Sequence, residues 1–196
     1  MAAAILVPLA ALLLLELMLY VLGIGRVTAF LLPGEAGPRL VWFQNDRYGW
    51  RFFGRDMSRE PQPLCVTRPK PAGRVRVVVF GESAAFGDPA PAFGLPRMLE
   101  SLLRQRFPGT SFEVVNAAMT GINSHAVRDI AQDCAQANAD IWVIYMGNNE
   151  VVGPFGAGTV LGPQSPSLFS IRASLALKTT RMGQLLDTMI DRFSPT

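Results

Sequence analysis

Residues 75–80 read VRVVVF, a nearly continuous apolar run that is followed at once by a glycine, an acid and a serine. Such a run is typical of a strand that is buried on both faces of a parallel sheet. Two further strands are indicated by FEVVN at 112–116 and IWVIYM at 141–146, and amphipathic helices are indicated at 95–107 and 124–134. The alternation of strand and helix predicts an α/β fold with a parallel sheet and right-handed crossovers.

Beyond a glycine-rich loop at 147–166, apolar residues recur at helical spacing from Ile171 to Met189. This spacing predicts one final long helix. The predicted helix at 124–134 is expected to have Asn123 or Ser124 as its N-cap.

The three loops that follow the predicted strands gather at one edge of a parallel sheet, which is where such sheets bind ligands. They carry GES at 81–83, NAAMTG at 116–121 and GNNE at 147–150. A hydroxyl, a closely approachable glycine amide and a donating asparagine side chain make up most of an acyl-transfer site. The plainer alternatives are a turn serine that caps a short helix and two ordinary turn residues. The candidate residues are Ser83, Gly121 and Asn149.

The segments FGES (80–83), NAAMTG (116–121) and MGNNE (146–150) resemble the first three sequence blocks of the SGNH, or GDSL-type, hydrolases. This is a flavodoxin-like α/β family of esterases and acyl transferases. The resemblance covers residues 75–155, and the order of the blocks after successive strands makes it more specific than any one block. The sequence also resembles bacterial membrane-anchored members.

The resemblance implies a flavodoxin-like three-layer parallel sheet, present here in part. It implies that Ser83 is a nucleophile that attacks an ester carbonyl and forms an acyl-enzyme. The Ser83 amide, the Gly121 amide and the Asn149 side chain would stabilise the developing oxyanion. No cofactor and no metal are implied. The chain departs from the family at Glu82 and Ala84, where Asp and Leu are usual, and neither position supplies the nucleophile or an oxyanion donor.

The larger departure is the missing base. The family takes its histidine, with an aspartate three residues earlier, from a loop late in the domain, and no Asp-x-x-His occurs here. The one histidine, His125, is expected at a helix end in a supporting role. Either the chain is a fragment whose catalytic His and Asp lie downstream, or it is a complete protein that has lost hydrolysis. Because the family normally has five strands and three are evident, we expect a fragment that is inactive alone.

An apolar leader occupies residues 2–24. At about 1.5 Å per residue it spans about 34 Å, enough to cross a hydrocarbon core of about 30 Å. A cleaved signal peptide would need a basic start, a shorter run and a clear cleavage site, so we favour an uncleaved transmembrane helix. Glu16 lies inside the span, where a partner transmembrane helix or relaxation toward the interface would accommodate its carboxyl group.

The side of the membrane stays open. Arg26, Arg39 and Arg47 follow the span and no Lys or Arg precedes it, which taken literally places the domain inside. We nevertheless expect a single-pass protein whose domain is periplasmic or extracytoplasmic.

The predicted domains are a transmembrane anchor at 2–25, a linker at 26–74 and the hydrolase-like domain at 75–196. Aromatic residues within 40–54 suggest a short hairpin in the linker, and a proline-rich stretch follows it.

Composition narrows the function classes. The net charge of +3 comes from arginines scattered among acids, without the basic run or aromatic interleaving of nucleic-acid binders. Cys65 and Cys134 are too few for a disulfide framework and lack metal-ligand spacing, and Cys134 is predicted to be a packed thiol.

Two hypotheses for the function remain. The first is an anchored serine esterase or O-acyl transferase acting on an ester-bearing small molecule, glycan or lipid. The second is a catalytically silent scaffold that binds a membrane-associated partner.

Overall fold

Strands and helices alternate from residue 74 onward. The computed structural model describes residues 2–193, with the backbone alone at positions 2, 3, 191 and 193. The strands are β1 (Leu31–Ala36), β2 (Arg39–Gln44), β3 (Cys65–Thr67), β4 (Arg74–Gly81), β5 (Ser111–Asn116) and β6 (Ile141–Tyr145). The α-helices are α1 (Ala2–Val21), α2 (Ser83–Phe86), α3 (Leu95–Arg106), α4 (Ser124–Cys134), α5 (Leu168–Leu177) and α6 (Arg181–Phe193).

The predicted parallel α/β sheet is confirmed, with the strand order β5-β4-β6. The apolar run of β4 is central, and each residue of Val77–Phe80 is at most 1% exposed. Val77 and Val79 pack with Leu95 and Leu99 of α3. A strand with partners on both sides and cover on its faces has to be apolar along its length, which is why the run is nearly continuous.

The strand β6 lies at one edge of this sheet. Four of its side chains are between 45% and 60% exposed, namely Ile141, Trp142, Ile144 and Tyr145. The ring of Trp142 still contacts Phe80 of β4, with the ring centroids 5.1 Å apart. The edge is therefore apolar as well as exposed.

An antiparallel sheet with the order β1-β2-β3 precedes the parallel one. Its hairpin joins Leu31–Ala36 to Arg39–Gln44, so the hairpin predicted within 40–54 was placed too late in the chain. Residues after Gln44 instead form a 3-10 turn at Tyr48–Arg51. The turn of the hairpin uses Gly37 at φ +59°, a conformation that glycine adopts without steric cost.

Residues 29–74 pack with the parallel sheet in one compact unit, Ala29–Ser165, rather than forming a separate linker. The Tyr48 hydroxyl donates a hydrogen bond to the Ala126 carbonyl at 3.3 Å. Arg51 pairs with Asp129 at 2.9 Å, and both side chains are largely buried. These polar contacts join the antiparallel segment to α4. Cys134 is 1% exposed, as predicted, and burial raises the pKa of its thiol.

The second compact unit contains α1, α5 and α6. α1 is the one helix among residues 2–193 that is long and apolar enough to cross a membrane, with a mean hydropathy of 2.5 over Ala4–Val21. The residues from Pro166 onward group with this helix and not with the α/β sheet, so the predicted boundaries of the hydrolase-like domain differ from those of the compact unit.

The single final helix predicted from the apolar spacing is wrong, because α5 and α6 are separate. The hydroxyls of Thr179 and Thr180 donate to the carbonyls of Ala176 and Leu177, both at 2.7 Å. The Thr180 hydroxyl also accepts the Gly183 amide at 3.0 Å. Threonine hydroxyls that bond to nearby backbone compete with the helix, and here they mark its interruption.

Candidate active site

Ser83 is the first residue of α2, a one-turn helix that follows β4. Gly81 makes this turn fit, because a Cβ atom on it would lie only 1.9 Å from the Tyr145 carbonyl oxygen of β6. The Ser83 carbonyl accepts the amides of Gly87 and Asp88 at 2.9 and 3.1 Å, which close the turn. The serine therefore stands at the carboxyl end of the central strand, where the sequence predicts it.

The Ser83 side chain does not cap a helix. The N-cap of α2 is Glu82, and it makes no side-chain cap bond. Within residues 2–193, no side-chain hydrogen bond is found for the Ser83 hydroxyl. Ser83 borders an open depression together with Ala84, Asp88 and Pro89.

Glu82 links the serine turn to the third loop. Its side chain is fully buried, and Oε2 accepts the backbone amides of Asn148 and Asn149 at 2.7 and 3.1 Å. Oε1 is buried without a hydrogen-bond partner among the described residues. Glu82 is therefore a buried acceptor for the third loop and not a solvated carboxylate.

Asn149 in turn reaches the second loop. Its side-chain Nδ2 donates to the Ile122 carbonyl at 3.0 Å, beside Gly121. A carboxamide nitrogen carries two N–H donors, and this bond uses one of them.

Gly121 has φ +81°, in the left-handed region. A Cβ atom there would make only ordinary contact, with Phe53 Cζ at 3.5 Å, so the backbone conformation and not the space favours glycine. The neighbouring Thr120 hydroxyl donates to Asp88 Oδ2 at 3.3 Å, which connects the second loop to the serine loop.

Asn116, the last residue of β5, fixes the start of the second loop. Its Oδ1 accepts the Ala118 amide at 3.2 Å, and its Nδ2 donates to the Phe86 carbonyl at 3.0 Å. Nδ2 also donates to Gln62 Oε1 at 2.5 Å. Backbone polar groups of two loops are thus satisfied by one buried amide.

Three loops from three strand ends are therefore joined by direct hydrogen bonds, and one predicted site residue lies on each. No protein-family model, curated protein or solved structure matches this chain. The likeness to the SGNH hydrolases and the roles of Ser83, Gly121 and Asn149 accordingly remain predictions from the sequence.

His125 is the second residue of α4, and its ring lies edge-on to Phe155 with the centroids 5.8 Å apart. The α4 N-terminus is bonded by an acid from the third loop: Glu150 accepts the Ser124 amide at 2.8 Å and the Ser124 hydroxyl at 2.7 Å. Asn123 holds the N-cap position of α4, as predicted, but its Oδ1 accepts no hydrogen bond among the described residues, and its Nδ2 donates to the Pro154 carbonyl at 2.7 Å.

Glu82 and Gln62 are the residues of this region whose contacts sequence reasoning missed. For Glu82 a signal existed, since an acid directly after a buried strand has little solvent within reach and needs donors. For Gln62 no signal existed, because it lies in a proline-rich stretch 54 residues before its partner. Among the described residues, no group of three or more metal-ligating side chains is found.

Proposed function

We propose that the protein is a membrane-anchored serine esterase or O-acyl transferase of the SGNH type. The observation that carries the proposal is the position of Glu82, the residue directly before Ser83. Its buried carboxylate accepts the backbone amide of Asn149. This bond holds the turn of Asn149, a proposed hydrogen-bond donor, next to the turn of Ser83. Ser83 borders an open depression.

In the proposed reaction the Ser83 Oγ attacks the carbonyl carbon of an ester. The C–O bond to the alcohol breaks, the hydroxyl proton passes through a base to the leaving alcohol, and an acyl-enzyme remains. Water then releases a carboxylic acid, or an acceptor hydroxyl takes the acyl group. The two outcomes define the esterase and the transferase.

The oxyanion that forms during the attack needs donors already in place. The Ser83 amide, the Gly121 amide and the second N–H of Asn149 are the groups proposed to bind it. Their turns are held by hydrogen bonds to Glu82, Asp88 and Ile122. Loss of one such donor typically slows a reaction by about 10²–10³-fold.

The general base is outside this assignment. The printed 196 residues contain one histidine and no Asp-x-x-His. The His125 ring contacts Phe155, and we give His125 no role as base.

The proposed substrates are acyl esters of small molecules, glycans or lipids, and α1 is the proposed single-pass anchor. The domain is proposed to face the periplasmic or extracytoplasmic side. These assignments rest on the sequence resemblance and on the length and apolar character of α1.

The test is covalent labelling by a fluorophosphonate probe. The natural gene product, epitope-tagged and kept in the membranes of its own cells, is treated beside the Ser83→Ala variant and a Ser124→Ala control. We expect labelling of the natural protein and the control, and none of Ser83→Ala. Equal labelling of all three, or of none, would refute the proposal.

A catalytically silent scaffold is the second candidate. The exposed apolar edge of β6 favours it, because such an edge can accept an added strand from a partner. The same experiment separates the candidates, since a scaffold without a reactive serine stays unlabelled.

A further inference from the structure

The first turn of α6 is hydrogen-bonded to α1. The Glu16 carboxylate accepts the backbone amides of Arg181 and Met182 at 2.6 and 2.9 Å. The first amides of a helix lack partners inside it, and its dipole favours a carboxylate at that end. The acid inside the apolar run of α1 thus has a partner in the same chain.

A second group of contacts lies near the end of the apolar run. Gln184 is 2% exposed; its Oε1 accepts the Arg26 amide at 2.7 Å and its Nε2 donates to the Arg26 carbonyl at 3.2 Å. The Arg181 guanidinium donates to the Ile24 carbonyl at 3.1 Å and lies 5.5 Å from the centre of the Tyr20 ring. The polar side of α6 therefore faces the chain that leaves α1.

The other side of α6 is an apolar stripe, by which we mean Leu185, Leu186, Met189 and Ile190. These side chains are between 39% and 63% exposed. Residues four apart in a helix share one face, so the four form one continuous surface. An exposed apolar helix face next to a membrane-spanning length of chain calls for an apolar partner.

We propose that α6 lies in the membrane–water interface with the apolar stripe among the lipid acyl chains, so that a phospholipid bilayer is the partner of this face. The inference rests on α1 spanning the membrane, as proposed above, and is independent of the chemistry at Ser83.

The position of Glu16 along α1, where α1 is bonded to α6, favours the bilayer over a protein as the partner of the apolar stripe. Glu16 lies five residues before Val21, the end of α1. At about 1.5 Å per residue this is about 7.5 Å along the helix, and interfacial helices lie about 5–10 Å deep at the headgroup boundary. Arginine and tyrosine side chains, here Arg181 and Tyr20, favour that boundary.

Fluorescent labels at single cysteines test the proposal in the full chain, in vesicles of phosphatidylcholine and phosphatidylglycerol. The background is Cys65→Ser, and the buried Cys134 is retained. A polarity-sensitive dye is attached in turn at Leu13→Cys in α1, at Met189→Cys in the apolar stripe and at Asp187→Cys. Asp187 lies on another side of α6, where its carboxylate pairs with Lys178.

We expect a lipid-borne quencher to reduce emission at positions 13 and 189 to a similar extent, and aqueous iodide to quench position 187 most. Quenching by lipid at 13 with quenching by iodide at 189 would overturn the inference and leave the anchor intact. Iodide quenching at all three positions would overturn both. Protection of 189 from both quenchers would indicate a protein partner and would also overturn it.

The hydrogen bonds between Glu16 and the first turn of α6 are tested by Glu16→Ala and Glu16→Gln. Alanine removes the acceptor for the first turn of α6, and glutamine keeps one acceptor oxygen. We expect Glu16→Ala to lower the lipid quenching of the dye at 189 while quenching at 13 stays, and Glu16→Gln to retain most of it. Unchanged quenching at 189 in Glu16→Ala would remove Glu16 from the account.

Discussion

The two ends of β4 each bury an ionisable side chain, and they satisfy it differently. At the amino end, Arg76 is 1% exposed and donates to Glu113 Oε2 at 2.6 Å, to the Thr67 carbonyl at 2.8 Å and to the Ala137 carbonyl. At the carboxyl end, Glu82 follows the strand with one oxygen bonded to two amides and the other without a partner among the described residues.

Under the proposed function, this difference separates a structural end of the strand from the end that carries the site. The Arg76 contacts join β4 to Glu113 of β5 and to the Thr67 and Ala137 carbonyls. The Glu82 contacts hold loops that leave the sheet, beside an open depression. A buried polar group that lacks part of its hydrogen bonds is costly. The comparison predicts that substitutions at the first end act on stability and those at the second on reactivity.

The largest effect is expected at the structural end. Arg76→Met removes a buried charge, takes the donor from the Thr67 and Ala137 carbonyls and leaves Glu113 with the longer Arg74 contact, which should lower the free energy of unfolding by about 3–5 kcal/mol. Arg74→Met is the matched control, since Arg74 is 33% exposed and lies 3.5 Å from the same Glu113; we expect about 0–1 kcal/mol. Urea unfolding in detergent measures both, and equal losses would break the comparison.

The next effect is expected at Asn149, at the functional end. Asn149→Ala removes a proposed oxyanion donor, and we expect the rate constant of fluorophosphonate labelling to fall about 10²–10³-fold. Asn148→Ala alters the adjacent exposed residue, whose backbone amide bonds to Glu82 in the same way, and should leave the rate nearly unchanged. A similar fall in both variants would mean that the turn matters and not the Asn149 donor.

Glu82 is expected to act through position. Glu82→Ala leaves the Asn148 and Asn149 amides without an acceptor, which should lower stability by about 1–3 kcal/mol and slow labelling. Glu82→Gln keeps an acceptor oxygen and should restore most of the labelling rate. If Glu82→Ala unfolds more easily but its folded fraction labels at the natural rate, Glu82 has a purely structural role.

The smallest effects on stability are expected from two glycine substitutions, one near each end of β4, which form a matched pair. Gly121 has φ +81° and Gly73, just before β4, has φ +75°. Alanine fits the space at each, so Gly121→Ala and Gly73→Ala should each cost about 1–2 kcal/mol of stability through backbone strain. Slower labelling is expected in Gly121→Ala only. Slower labelling in Gly73→Ala would show that strain alone affects the site.

The strands of the parallel sheet could be predicted because a buried strand records its surroundings in its own residues. The valines of β4 are a local signal of cover on both faces. The order of the loops at one edge then follows from the topology, so the turns of Ser83, Gly121 and Asn149 could be expected to converge.

What could not be predicted depends on contacts between distant residues. Tyr48 and Arg51 read as linker residues, and nothing in the local pattern indicates their bonds to α4. The apolar spacing runs through Thr179 and Thr180, whose hydroxyl bonds to nearby carbonyls mark the gap between α5 and α6. The buried state of Glu82 likewise depends on amides 66 and 67 residues away.

The most direct test of the proposed site is a crystal structure of the natural protein after reaction with a fluorophosphonate. We predict a phosphonyl group on Ser83 Oγ, with its anionic oxygen about 2.7–3.1 Å from the Ser83 amide, the Gly121 amide and Asn149 Nδ2. An adduct whose oxygen points to solvent, away from Gly121 and Asn149, would contradict the account.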